Sequence, residues 1–283
     1  MKKVKIVTDS TCDLSKELLH KYDISVLPLL ITMGDKSYKD GEDISPEEIY
    51  EWSDRTEETP KTAAPLLGDA IDFFKPFMDE GLEIIYFGIS GSMSTACNMI
   101  RLLAEDHDYT KLHVVDSKNL STGIGLQVIR AGQMAMDGAS VDEILEDNKK
   151  INGRVRGSFV VDKLNFLARG GRCSSVTSLL ANRLKIKPEI VVIDGEMDVA
   201  NKYRGNLNNV ILKYIKSKEE DLKNAETDCV FITHSGCSEE ILDSAKEYLE
   251  SLNIFDNIYV TRAGGVISSH CGPNTLGVLY ISK

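Results

Sequence analysis

The 283-residue chain has no apolar run approaching the roughly 20 residues that a helix needs to span a bilayer, so no membrane insertion is expected. Its opening, MKKVKIVTDST, breaks into polar residues too soon to form the apolar segment of a signal peptide, and the expected location is the cytoplasm. No C-x-x-C pair is present. The six cysteines, at 12, 97, 173, 229, 237 and 271, lie far apart, which argues against a zinc site or a disulfide framework and for buried thiols. Positive charge is also scarce: 44 acidic against 33 basic residues leave a net charge of −11, which opposes general binding to nucleic acid or anionic lipid surfaces. Internal repeats, low-complexity tracts and long linkers are absent.

The usual catalytic signatures are incomplete. There is no P-loop, and Gly123-Ile124-Gly125 lacks the third glycine of a dinucleotide site because Val128 stands there. Gly88-Ile89-Ser90-Gly91-Ser92 approaches a nucleophile elbow but ends in serine where the pattern asks for glycine. A serine hydrolase acting on lipid esters would have to use Ser90 or Ser94 with His270, with Asp116 as the acid, and it stands as the alternative function. A non-catalytic interaction protein is a third reading.

What the chain does contain is an ordinary globular composition, 42% hydrophobic and 27% charged, at a length that allows two domains. VKIVTDST reads as a buried strand, followed by helical spacing of Leu14, Leu18 and Leu19; ISVLPLLIT reads as a second strand. Ser45, Pro46 and Glu48 predict a capped helix start, as do Ser140 and Glu143. LEIIYFGIS and LHVVDSKN continue the strand series, with helices expected near 96–106, 122–137 and 141–152. This alternation implies a parallel sheet flanked by helices over residues 1–155. Ligands collect at the carboxyl ends of such strands, where Asp9-Ser10-Thr11, Ser90-Gly91-Ser92 and Asp116-Ser117 fall. From 156 to 283 the rhythm becomes α+β: a hairpin around Asp194-Gly195, three further strands, and helices near 206–222 and 238–252.

Individually the polar residues are ordinary in type. Thr62 in TAAP reads as a turn, Ser94 in GSMSTACNM as a helix cap, and His270 as a satisfied, partly buried histidine. Gly170-Gly171-Arg172 reads as a tight loop between helices. The nine acidic residues between Asp40 and Thr59, and the basic cluster Arg169, Arg172, Arg183, Lys185 and Lys187, each read as a solvated face.

Seven ordered segments change this. VTDSTCDL (7–14), YKDGEDIS (38–45), PKTAAP (60–65), SMSTACN (92–98), VVDSKNLSTGIGL (114–126), LNFLARGGRCS (164–174) and HCGPNTLG (270–277) together resemble the DegV family of bacterial fatty-acid-binding proteins along nearly the whole chain. The resemblance implies an N-terminal α/β domain and a C-terminal α+β domain with a lipid tunnel between or within them. It implies a long-chain fatty acid with a buried tail and a carboxylate held by Thr62, Ser94 and His270, with Arg172 supporting the head group or the partner. It further implies a carrier rather than an enzyme, with no cofactor and no ATP site. Such a carrier presents its acid to a separate ATP-dependent fatty acid kinase, whose acyl phosphate product enters phospholipid synthesis. Lys202 and Arg204 would add to the basic surface around Arg172. Two segments depart from the family: Ala63-Ala64 where it commonly has Ser-Gln, and Ala96-Cys97 where it commonly has a tyrosine, expected to widen the pocket.

Overall fold

The computed structural model describes residues 4–180 and 186–283. Strand β1 (Val4–Asp9) leads through a short 3-10 turn into α1 (Lys16–Lys21). The run expected as one second strand is two, β2 (Ile24–Leu27) and β3 (Leu30–Met33). Pro28, between them, has no N–H for a ladder. At that point the chain leaves the parallel sheet, and β3 joins β4 (Lys36–Lys39) and β5 (Lys61–Ala63) in a separate antiparallel sheet of order β4-β3-β5. This break sets Thr62 opposite Ile31 in register.

Between β4 and β5 runs α2 (Pro46–Thr56), opened by the expected capping box of Ser45 and Glu48. Then follow α3 (Leu67–Asp79), β6 (Glu83–Gly88), α4 (Ala96–Asp106) and β7 (Leu112–Asp116). The order β2-β1-β6-β7 is parallel throughout, as the alternating pattern requires. Helix α5 (Thr122–Met136) and the capped α6 (Val141–Asn152) come next.

The remaining chain builds a second large sheet. Its elements are β8 (Val155–Val160), α7 (Leu164–Gly170), α8 (Ser174–Leu180), β9 (Lys187–Ile193) and β10 (Glu196–Tyr203). After them come α9 (Leu207–Ser217), α10 (Glu219–Lys223), β11 (Val230–His234), α11 (Glu239–Ser251), β12 (Ile258–Arg262), α12 (Gly265–Cys271) and β13 (Leu276–Ile281). Order is β10-β9-β8-β13-β11-β12, antiparallel except for β11 with β12. Asp194 and Gly195, at φ 51° and 88°, make the hairpin turn that the Asp-Gly pair predicts. The single helix expected near 206–222 is α9 and α10, parted at Lys218.

Helix α5 is the shared wall. It packs on β1 and β6 on one side and on β8 and β13 on the other, and one apolar cluster runs from Ile6 through Ile124 and Val128 to Leu279. Its glycines serve that packing: a β-carbon at Gly125 would lie 2.7 Å from Leu14 Cδ2. Gly123-x-Gly125 is thus a close-approach device.

Candidate functional site: a small apolar cavity with four polar residues

Four segments distant in sequence meet at one cavity of about 50 Å³, lined by Thr62, Ser94, Arg172 and His270 among apolar side chains that include Met93, Leu120, Met197 and Ile267. Strand β5 supplies Thr62, the β6–α4 loop Ser94, the α7–α8 turn Arg172, and the last turn of α12 His270. All four residues singled out from the sequence are therefore brought together.

Thr62 Oγ1 lies 2.8 Å from His270 Nε2. Nδ1 of the same ring is buried without a hydrogen-bond partner. Burial first, and the positive charge of Arg172 second, push the His270 pKa down to about 4, so the imidazole is neutral at neutral pH. Ser94 Oγ accepts from Ala96 N at 3.2 Å, which leaves its own O–H free to donate. The readings of Thr62 as a turn and Ser94 as a helix cap give way to a strand position in β5 and to a loop residue just before the Thr95 N-cap of α4. Arg172 donates from Nη1 to Gly170 O at 2.8 Å and from Nε to Met93 O at 3.4 Å, tying two walls of the cavity together. A guanidinium, two hydroxyls able to donate and the positive end of α4 favour an anion here.

A second cavity, about 20 Å³, shares Leu120, Ile267 and Cys271 with the first and continues toward Phe159 and Leu279. Those three side chains form a partition between two apolar spaces.

A family model described as "Uncharacterised protein, DegV family" matches residues 3–283. The chain belongs to the DegV family. A DegV domain-containing protein of Clostridium perfringens is 31% identical over 283 residues, with all of both chains covered. A fatty-acid-binding DegV protein from Thermus thermophilus superposes with a TM-score of 0.90 at 26% identity, covering 99% of this chain and all of the other. A stearic acid-binding protein from Eubacterium ventriosum gives 0.85 at 29% identity, covering 99% and 98%. The α/β architecture with its second sheet is the DegV fold.

Other readings of the sequence need correction. Cys97 does not widen the cavity: it is 1% exposed, packs with Phe74 and Tyr86 in a separate cluster, and donates its thiol to Ile89 O and Val115 O. Asp9 and Ser90, at strand ends, are structural. Asp9 accepts from Thr11 N and Ile89 N, and Ser90 Oγ donates to Gly195 O at 2.7 Å. Neither serine of the hydrolase alternative is bonded to His270, and Asp116 is engaged by the amides of Gly91 and Lys118. In the basic cluster, Lys187 is paired with Asp162, while Arg183 and Lys185 lie outside the described residues. The acidic run is a solvated face as read, with Glu48 capping α2 and Glu47 pairing with Arg262 on it, and only Asp40 of its nine acids buried. The six cysteines are free, five of them buried. Among the described residues no helix is long and apolar enough to cross a membrane, and no cluster of His, Cys, Asp and Glu could hold a metal.

Gly170, Met93 and the Leu120–Ile267–Cys271 partition belong to the site without having been singled out. Only Gly170 carried a signal, as one of two adjacent glycines before Arg172.

Proposed function

We propose that this protein binds a long-chain fatty acid, its carboxylate at Thr62 and Ser94 with His270 behind Thr62, and its tail along the apolar cavity toward the partition. The observation that carries the reading is the 2.8 Å contact of Thr62 with a buried, neutral His270 in an apolar space bordered by Ser94 and Arg172. With its proton on Nε2, His270 donates to Thr62 Oγ1 and frees the threonine hydroxyl to donate in turn to the anion. His270 then acts through Thr62, and Thr62 and Ser94 supply the direct donors. Arg172 adds charge and holds the mouth.

Burying a dozen methylenes at about 0.8 kcal/mol each outweighs hydrogen bonds to a charged group at roughly 1.5 to 3 kcal/mol each, even against the cost of association. The tail provides affinity and the head orientation. Ligand cavities usually measure about 300–1,000 Å³, so loading requires the flexible Met93 and Met197 and the partition to move aside. In this reading the protein is a carrier that offers the acid to a separate ATP-dependent fatty acid kinase, with the exposed Arg169 and Arg172 facing that partner. Organisation into units 1–155 and 156–283, with the site completed by the second, belongs to the same proposal.

Native mass spectrometry of the purified protein tests it. A retained fatty acid, reduced at least about tenfold in occupancy by Thr62→Val combined with Ser94→Ala, is expected. A lipid-free protein that also fails to take up stearate would refute the reading, and labelling of Ser90 or Ser94 by a fluorophosphonate probe would replace it with the hydrolase.

A further inference from the structure

Three of the ordered segments, VTDSTCDL, YKDGEDIS and VVDSKNLSTGIGL, place no polar side chain in the cavity. Four of their polar residues, Ser10, Asp13, Asp40 and Ser121, converge elsewhere, around the first turn of α12. Asp13 Oδ1 accepts from Gly264 N at 2.7 Å, and its Oδ2 accepts from Ser121 Oγ at 2.5 Å. Asp40 Oδ1 accepts from Gly265 N at 2.7 Å, while its Oδ2 accepts from Ser10 Oγ at 2.8 Å. Ser10 Oγ in turn accepts from Leu29 N at 3.1 Å, and Asp9 braces the turn between Asp9 and Asp13 by accepting from Thr11 N.

These carboxyl groups are buried, Asp13 6% and Asp40 3% exposed, and burial pushes both pKa values up, that of Asp13 to about 8. Keeping two such groups beneath one short helix is costly, so what they hold matters. Gly265 makes the approach feasible, because a β-carbon there would lie 2.9 Å from Asp40 Oδ1. Helix α12 has seven residues, too few to be stable alone. Its first residue is Gly265 and His270 is in its last turn, about 7.5 Å along the axis at 1.5 Å per residue. A shift or tilt at the first turn is therefore carried directly to the imidazole.

We propose that Asp13 and Asp40 are positioning residues of the carboxylate site, gripping the first turn of α12 so that His270 in its last turn meets Thr62. This rests on the proposed fatty acid reading for its functional consequence and on geometry alone for the His270–Thr62 contact.

The test uses the full chain labelled with 15N-histidine, following the His270 ring nitrogens by NMR, and stearate affinity by calorimetry. Asp13→Ala and Asp40→Ala are expected to shift the His270 Nε2 resonance and to weaken stearate binding at least about tenfold. Asp13→Asn and Asp40→Asn, which retain an acceptor for the glycine N–H, are expected to return affinity to within about threefold. Tyr214→Phe is the stability control: it removes the buried hydroxyl that bonds Ser158 and Val278 in another cluster. An unmoved His270 resonance in the folded alanine variants, or an equal movement in Tyr214→Phe, overturns the proposal. Should the alanine variants not fold, Ser10→Ala and Ser121→Ala, each removing one hydroxyl behind a carboxyl, must produce a smaller shift in the same direction; no shift there also overturns it. A wild-type protein that binds no stearate defeats the functional reading, while the resonance still decides the positioning role.

Discussion

The ring of His270 lies against the backbone of Gly170, so closely that a β-carbon built at residue 170 would come 2.4 Å from Nδ1. Glycine ends α7 at this point because the histidine occupies the space of a side chain. The contact also explains why Nδ1 is without a partner: it faces a Cα in place of a polar group.

Gly170→Ala should accordingly push the imidazole away from Thr62. Alanine is the better helix former, by up to about 1 kcal/mol, so a purely local effect would stabilise the protein. Overpacking at roughly 1–3 kcal/mol is expected to prevail, and thermal unfolding should show a lower Tm together with reduced fatty acid retention. A raised Tm with unchanged retention would show that the ring has room to move.

Stability should respond to pH in two opposed ways. His270 has a folded-state pKa of about 4 against 6.5 for an unperturbed histidine, so the native state binds fewer protons and stability is lost as pH falls from 6.5 to about 4, by about 3 kcal/mol in total. Asp13 is raised from 3.8 to about 8, so the native state binds more protons and stability is lost as pH rises between those values. Urea titrations across pH should find a flatter slope below pH 6.5 in His270→Gln and a flatter slope between pH 6.5 and 8 in Asp13→Asn. Slopes matter here, because either substitution also changes the absolute stability.

Charge reversal in Arg172→Glu removes the cation that helps depress His270 and releases the carbonyls of Gly170 and Met93. The His270 pKa should rise above 4, and in the proposed reading fatty acid affinity should fall. An NMR titration of the ring reads the first effect. If His270 titrates unchanged, the guanidinium is too well screened to act on it.

Replacing Leu120 by alanine opens the partition between the two cavities. The large-to-small change should cost about 2–5 kcal/mol of stability and shift the retained lipids toward longer or bulkier tails, as read by mass spectrometry. An unchanged lipid profile would mean that the tail does not run toward the second cavity.

Much of the architecture was legible from short-range chemistry. The capping boxes at Ser45 and Ser140, the Asp194-Gly195 turn and the alternating apolar runs act within a few residues, and local energetics alone dictate their outcome. The short α12 was not legible, because VISSHC has neither a helix-period apolar face nor a side-chain cap; its first turn is held by Asp13 and Asp40, more than 200 residues earlier. Cys97 departs from expectation for a related reason: Met93 and Ser94, in the loop before α4, line the cavity, but Cys97 in the first turn of α4 packs into another cluster. The order of residues along the chain was enough for the family, the strand-and-helix rhythm and the set of Thr62, Ser94, Arg172 and His270. Folding in three dimensions settled the rest: His270 reaches Thr62, Gly170 leaves room for the ring, and two buried acids aim the helix. Each of these depends on contacts between segments that local sequence cannot place relative to one another.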